Sequence, residues 1–423
     1  MQGLEKYETL DAHPLVREFF GHHLQTHHPE TYQQANIFLY EYFKGIAKEL
    51  PDTLEEMEPL FQAVAHGCRA GKQQEVYADV LWKRVLREGD GYLFHKLGAF
   101  GSFLACLFYF FDMVWEVPAA NLTEYRKAVA LSWAGYSLQA LGRFAEAAQA
   151  MKASLGMAIE QNDWKGASHD TGNLCELYLT AGNVPQAVDY GKLSVKYADK
   201  SEDGNMMSAF RTTYANVLNQ HGEIKEAAIL FAVAEEMQKK RQPKYQYLYS
   251  LWGFHYCDLL ISMGKVEEVI ERAKTTLEYG KLGYSLLDIA LDKLSLGKAF
   301  LQLNLPDFEN PADFNTSINY LNEAVEGSRK AGNSQMIPCG LLARASYYRI
   351  SKEYEKAETD LQEALEIAEY GNMNLYLVDY HLEKMRLCKA MGKEEEAAKH
   401  REEARVWIDK TGYERRRKEL EEE

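Results

Sequence analysis

The sequence predicts an all-α protein, a solenoid built from helical hairpins of about 40 residues each. Hydrophobic residues make up 46% of the 423 residues, so the chain can bury a large core. A turn that usually contains glycine, followed by an Ala-rich stretch, recurs at a nearly constant interval. No stretch of useful length alternates apolar and polar residues as a half-buried strand does. These observations favour an array of helical repeats over a globular α/β domain.

Residues 1–30 read as a helical linker in front of the array. Leu15, Val16, Phe19 and Phe20 follow Pro14 at the spacing of a short amphipathic helix. A proline at position 29 ends that helix, because the residue before a proline avoids helical geometry.

Residues 31–120 predict irregular helical hairpins, which we interpret as degenerate repeats. The segment 31–50 carries an apolar helical face that ends at Pro51, and 54–70 and 73–87 form a hairpin around Gly71. Residues 93–115 are so apolar that we expect one long buried helix. Within it, a membrane span is the less favoured interpretation of residues 97–115, because Asp112 interrupts the apolar stretch and flanking basic residues are sparse.

Residues 121–410 contain seven repeats. Each consists of a first helix, a turn and a second, Ala-rich helix. Two of the turns are weak and lack glycine, and a proline-broken insertion at 305–315 lengthens one interval. The seven turns lie at Gly142, Gly182, Gly222, Gly264, Asn304, Lys352 and Gly392. Residues 411–423 are highly charged and predict a solvated helical cap.

Small residues recur on both helices of each repeat. One follows the turn by five positions, as Ala147 and Ala187 do, and another precedes it by seven, as Gly135 and Cys175 do. Small side chains at these positions let the two helices approach closely. This spacing resembles the tetratricopeptide repeat (TPR), which implies a right-handed superhelix and a role in binding.

The charge and the cysteines bound the class of protein. The net charge of −15 argues against a broad nucleic-acid or anionic-membrane interface, so we expect neither partner. The six cysteines form no C-x-x-C pair, which is typical of reduced thiols in a cytoplasmic protein. The N-terminus shows no apolar signal core.

The N-terminal stretch resembles a family of signalling ATPases. Asp11, His13, Pro14, Leu15, Val16, Arg17 and Phe19 match the D-x-H-P-L-V-R-x-[FY] pattern that closes the winged-helix segment of STAND-class NTPases, the bacterial relatives of NLR and NB-ARC switches. In those proteins this segment precedes a TPR sensor. Later stretches, among them GNLCELYLTAGNV and GLLARASYYR, also resemble those sensors, so the resemblance covers essentially the whole chain.

The nucleotide-binding part of that family has no counterpart here. A Walker A loop needs G-x-x-x-x-G-K-[ST], and no Gly-Lys pair of this chain is followed by Ser or Thr. The resemblance therefore implies a C-terminal sensor region without its NTPase domain, with residues 1–30 as a remnant of the winged helix.

Motifs for metal binding or catalysis are weak. His23 and His27 share a helix face in the cluster HHLQTHH, but no third ligand lies in a recognisable frame. The letters Ser168-His169-Asp170 resemble a triad, yet adjacent helical residues point about 100° apart. We expect no catalytic residues, no metal and no cofactor.

The concave surface of the array is the better candidate site. In TPR arrays the first helix of each repeat lines this surface, and alignment on the small residue before each turn selects the lining positions. They are His169, Asn173, Glu176, Arg211, Thr212, Asn216, Phe254, Asp258, Asp292, Lys298, Arg344 and Arg349. Two readings stay open: the arginines bind carboxylate or phosphate groups of a ligand, or they pair internally with acids such as Asp258 and Asp292.

These features predict a non-enzymatic sensor that binds a protein, a peptide or a small effector in its concave groove and transmits the event through the array. The expected context is a STAND-type defence or signalling switch. Two alternatives remain: a constitutive scaffold that joins two proteins, and a stand-alone peptide receptor similar to the quorum-sensing TPR regulators of Firmicutes.

Overall fold

The computed structural model describes residues 13–280, 285–303 and 311–423; the side chains of residues 14, 17, 280 and 311–313 are also outside the description. Helices dominate this part of the chain, so the predicted all-α solenoid is confirmed. The chain divides into two compact units. The first comprises Met1–Asp90 with Ala119–Asn121, and the second comprises Gly91–Pro118 with Leu122–Glu423.

The first unit is a small helical bundle. Its helices are α1 (Pro14–His27), α2 (Pro29–Ile46), α3 (Leu54–Arg69), α4 (Gln73–Val76), a π-helical stretch (Tyr77–Val85) and a 3₁₀ turn (Arg87–Gly89). The hydroxyl of Thr53 caps α3 by accepting a hydrogen bond from the Glu56 amide. Between α2 and α3, the Tyr40 ring lies against Gly67, where a Cβ would come within 2.8 Å of it.

Arg84 ties the π-helical stretch to the end of α2. Its buried guanidinium donates to the carbonyls of Lys44, Ala47, Lys48 and Glu49 at 2.8–3.3 Å. Carbonyls at a helix C-terminus lack partners within their own helix. Arg84 therefore serves as the C-terminal cap of α2.

The prediction of one long helix over 93–115 was wrong. The structure has α5 (Tyr92–His95), α6 (Phe100–Leu107), a 3₁₀ turn (Phe108–Phe110) and an antiparallel pair of short strands, β1 (Phe111–Met113) and β2 (Val117–Pro118). Gly98 breaks the helix, because it adopts φ +59° and packs against the Ala331 backbone. None of the described helices is long and apolar enough to cross a membrane.

The seven repeats follow in order, and their helices alternate between first and second positions. They are α7 (Glu124–Ala140) and α8 (Phe144–Glu160), α9 (Trp164–Thr180) and α10 (Val184–Ser201), α11 (Gly204–His221) and α12 (Ile224–Arg241), α13 (Ser250–Ser262) and α14 (Val266–Gly280), α15 (Leu286–Leu303) and α16 (Pro311–Lys330), α17 (Ile337–Ile350) and α18 (Tyr354–Tyr370), and α19 (Asn374–Ala390) and α20 (Glu394–Thr411). A final helix, α21 (Glu414–Glu422), occupies the next first-helix position.

The turns have the geometry that the repeat requires. Gly142 and Gly182 both adopt φ +77°, and Lys352 takes the same left-handed conformation at φ +63° without being glycine. The predicted turn at Asn304 lies outside the described residues. Within a repeat, a Cβ on Gly135 would lie 2.5 Å from the Met151 side chain, so close helix packing requires the small residue.

The superhelix of the second unit closes on itself. The Asn374 side chain of repeat 7 donates to the Ala181 carbonyl in the turn of repeat 2, at 2.9 Å. Likewise, the Ser334 hydroxyl in front of repeat 6 donates to Ala140 in repeat 1 at 2.9 Å. Gly222, in the turn of repeat 3, packs against Glu414 of α21. The turns of repeats 1 to 3 thus contact residues in or just before the first helix that lies five positions later, and the first helices surround a central axis.

Candidate functional site

A cavity of about 710 Å³ lies along this axis, lined mainly by first helices of repeats 4 to 7 and by α21. We call it the outer cavity. Its walls combine apolar residues, such as Ile261 and Leu342, with charged ones. The charged lining residues are Lys298, Arg349, Asp379, Glu383, Arg386, Lys389, Arg416, Glu419 and Glu423.

A smaller space of about 110 Å³, the inner chamber, adjoins the outer cavity. Lys298, Cys339, Tyr376, Asp379 and Arg416 line both. The far wall of the inner chamber is polar but largely uncharged. It contains Glu176, Thr180, Asn216, Gln220, His255 and Gln335.

Most charges of the outer cavity are paired across neighbouring first helices. Arg349 Nε lies 2.6 Å from a Glu383 carboxylate oxygen. Arg416 Nε lies 2.7 Å from Asp379, and Arg386 Nη2 lies 2.7 Å from Glu419. The side chains of these pairs are 8–32% exposed, so they are largely but not fully shielded from solvent.

Asp258 lies at the centre of the paired charges. Lys298 Nζ approaches its carboxylate at 2.6 Å, and Arg415 Nη1 approaches it at 2.5 Å. Burial disfavours the charged form, but the two cations outweigh it and hold the pKa of Asp258 well below its usual range. Asp258 therefore stays ionised and links repeat 4 to repeat 5 and to α21.

Glu176 of the inner chamber has a different environment. Its side chain accepts a hydrogen bond of 3.3 Å from the Thr213 hydroxyl, and none of the described cations forms an ion pair with it. Burial raises the pKa of Glu176 to about 7. Nearby, burial lowers the pKa of His255 to about 4, so both groups are largely uncharged just below neutral pH.

The structure brings six of the sequence-predicted site residues together. Glu176, Asn216, Phe254 and Asp258 line the inner chamber, Lys298 lines both spaces, and Arg349 lines the outer cavity. All six lie on first helices, as the repeat alignment predicts.

The other six lie outside the lining of these two spaces. Arg211 pairs with Asp199 at 2.8 Å, and Arg344 makes two 2.7 Å hydrogen bonds to Asp360, so both bridge neighbouring helices. Ala343 lines the outer cavity, and Arg344 points away because successive helical residues diverge by about 100°.

Of the remaining four, Thr212 and Asp292 are buried, Asn173 is half-buried and His169 is exposed. The His169 ring meets Phe210 edge to face at 5.6 Å. The Thr212 hydroxyl donates to the Ala209 carbonyl at 2.5 Å, and Asp292 accepts a 2.8 Å hydrogen bond from Thr276. Asn173 is half-buried on α9.

The sequence-derived set lacks the residues that α21 contributes. We expected residues 411–423 to be a solvated cap, but Arg415, Arg416 and Glu419 face the other first helices and are only partly exposed. The sequence does contain a signal for this position of α21. Arg416 follows Asp379, with which it pairs, by almost the length of one repeat. That spacing places α21 in register with α19.

The predicted histidine cluster lies on the surface of the first unit. The rings of His23 and His27 stack with centroids 4.3 Å apart on the exposed face of α1. Within the described residues, no group of three potential metal ligands is found.

Comparisons with known proteins give no assignment to a family. No protein-family model and no curated protein matches the sequence. Among solved structures, the chain is similar to a Rap protein complexed with competence and sporulation factor, with 14% identity, a TM-score of 0.46, and coverage of 87% of this chain and 98% of that one. It is also similar to a STAND protein with a tetratricopeptide repeat sensor from Pyrococcus horikoshii, with 13% identity and a TM-score of 0.32; the match covers 96% of this chain but 57% of that one.

Proposed function

We propose that this chain is a non-enzymatic binding module that takes a short peptide, or a segment of a partner protein, into the outer cavity and the adjoining inner chamber. The observation that carries the proposal is the pair of adjoining spaces along the superhelix axis, with charged and apolar walls side by side. A volume of about 710 Å³ lies in the range of sites that bury most of a small ligand.

The wall chemistry supports binding over catalysis. Arg349, Arg386 and Arg416 already hold carboxylates, and such fork-shaped donors suit the recognition of acidic groups. Cys339 faces the cavity, but burial raises the pKa of its thiol to about 11. A protonated thiol is a poor nucleophile, so Cys339 is unsuited to covalent chemistry at neutral pH.

A more specific form of the proposal is the sensor of a STAND-type switch in the cytoplasm. Support for a sensor is the closed superhelix, in which repeats that lie five apart are joined by hydrogen bonds, such as those of Asn374 to Ala181 and of Ser334 to Ala140, and by an apolar cluster shared by repeats 2 and 7. A ligand that spreads the first helices would strain these contacts and change the curvature of the array. A constitutive scaffold would bind without such a change.

Affinity selection from a mixed library of five- to ten-residue peptides tests binding. We expect wild-type protein to retain a subset of peptides, and Ala343→Phe, which fills the outer cavity, to lose that subset. Ala398→Phe is the matched control, because Ala398 is exposed on α20 and lines neither space. Equal retention by both variants would refute the cavity as the site.

Hydrogen exchange of the protein, measured with and without a retained peptide, distinguishes the sensor form of the proposal from a constitutive scaffold. The sensor form predicts faster exchange at the contacts of Asn374 and Ser334, away from the peptide. Protection confined to the cavity walls would favour the scaffold.

A further inference from the structure

The final helix, α21, is held at the outer cavity mainly by charge. In the helix itself only Leu420 is buried, at 5% exposure, and it joins the apolar cluster of repeats 2 and 7 together with Tyr413, the residue just before the helix. The rest of the sequence, ERRRKELEE, is almost entirely ionisable. An element fixed in this way depends on its ion-pair partners more than on apolar packing.

The acidic half of α21 and the residue after it neutralise cations of the cavity wall. Arg386 lies 2.7 Å from Glu419 and 2.6 Å from Glu423. Lys389 donates to the Glu423 backbone oxygen at 2.6 Å. Burial opposes ionisation of Glu419, but Arg416 and Arg386 outweigh it and lower its pKa to about 2.

The order of charges on α21 matches the wall. Along α19, Asp379 comes before Arg386 and Lys389; along α21, Arg416 comes before Glu419 and Glu423. Arg416 pairs with Asp379, and the two glutamates pair with the two cations. The wall of α19 therefore accepts a segment whose carboxylates lie about one helical turn apart.

These acidic contacts are exchangeable. The side chains of Arg386 and Lys389 are 20% and 33% exposed, and both line the outer cavity. Both side chains can therefore be reached by a competing charged group, and added salt weakens ion pairs that are partly exposed.

We propose that Glu419 and Glu423 are internal stand-ins for the carboxylates of the ligand, and that the ligand is an acidic peptide segment that displaces α21 from Arg386 and Lys389. This inference rests on the proposed function and adds to it the chemical class of ligand and the element that moves. The released α21 would then report occupancy of the cavity.

The test uses a fluorescently labelled peptide with the α21 sequence, YERRRKELEEE, as the probe, titrated into full-length protein at low salt; four of its last five residues are glutamates. We expect Glu419→Gln with Glu423→Gln in the protein to tighten probe binding about tenfold, because the wall cations become available. The matched control, Glu421→Gln with Glu403→Gln, changes net charge equally at exposed positions and should bind the probe as wild type does.

A variant of the wall cations distinguishes binding of the probe at Arg386 and Lys389 from a mere release of α21. Arg386→Gln with Lys389→Gln also frees α21, but it removes the cations, so the probe should bind no better than to wild type. The inference would be overturned if the glutamate variant (Glu419→Gln with Glu423→Gln) bound the probe no more tightly than wild type. It would also be overturned if Arg386→Gln with Lys389→Gln gained as much probe affinity as the glutamate variant. If peptides lose binding in Ala343→Phe but bind the glutamate variant as they bind wild type, the proposed function stands and this extension of it is refuted.

Discussion

Replacement of Asp170 with Asn should make the protein more stable at alkaline pH and reduce the dependence of its stability on pH. Asp170 lies on α9 at 1% exposure. The Ser132 hydroxyl donates to one carboxylate oxygen at 2.7 Å, while the other oxygen is buried without a hydrogen-bond partner. Burial raises the pKa of this carboxyl from 3.8 to about 7.

The sign follows from proton linkage. Because the pKa of Asp170 is higher in the folded than in the unfolded state, the folded state holds the proton more tightly. The contribution of Asp170 to the free energy of unfolding is therefore greatest below pH 3.8 and falls as the pH rises to about 7. At about 1.4 kcal/mol per pKa unit, the complete loss is slightly more than 4 kcal/mol, and the part lost between pH 5.5 and pH 8 is about 2 kcal/mol. An asparagine does not titrate, so this share should disappear.

Urea unfolding at pH 5.5 and pH 8 measures the effect. The difference in unfolding free energy between the two pH values should be about 2 kcal/mol smaller in Asp170→Asn than in wild type. Asp189→Asn, at an exposed position on α10, is the control and should leave the difference unchanged. An unaltered pH dependence in Asp170→Asn would show that Asp170 is ionised in the folded protein and would refute the reasoning.

Two further substitutions test the charged contacts. Arg84→Met should destabilise the first unit by about 3 kcal/mol, because four carbonyls lose their donor; hydrogen exchange over α2 should accelerate, whereas unchanged protection there would contradict the capping role. Asp258→Asn should cost about 3–5 kcal/mol in urea unfolding, because it leaves Lys298 and Arg415 without their shared carboxylate. Lys298→Met should lower the free energy of unfolding by less than Asp258→Asn does, since Arg415 still neutralises Asp258. A larger loss in Lys298→Met than in Asp258→Asn would show that Arg415 is the minor partner.

The repeats could be predicted because each is a local pattern. The left-handed turn at Gly264 and the small residue at Gly135 are set within one hairpin, so both can be interpreted without knowledge of the rest of the chain. The segment 93–115 could not be predicted in this way. Its apolar residues fit a long helix equally well, and Gly98 is forced to break it by the backbone of Ala331, far away in sequence.

Only half of the predicted site residues line the two spaces, and the reason is similar. Repeat alignment places Lys298 and Arg349 on the inner face, but an uncertainty of one position on a helix exchanges Ala343, which lines the cavity, for Arg344, which does not. The closure of the superhelix is not encoded in any single repeat. It depends on a small rotation between neighbours, which accumulates until repeat 7 meets repeat 2.

Closure gives the last helix an influence on the cavity that its short length would not suggest. Because α21 occupies a first-helix position, it supplies Arg415 to Asp258 and Arg416 to Asp379, two carboxylates on walls that belong to repeats 4 and 7. If α21 leaves, both carboxylates lose a cation, and the Gly222 turn of repeat 3 loses the backbone that packs against it. The charge of the cavity and the closure of the superhelix are therefore coupled through one helix of nine residues.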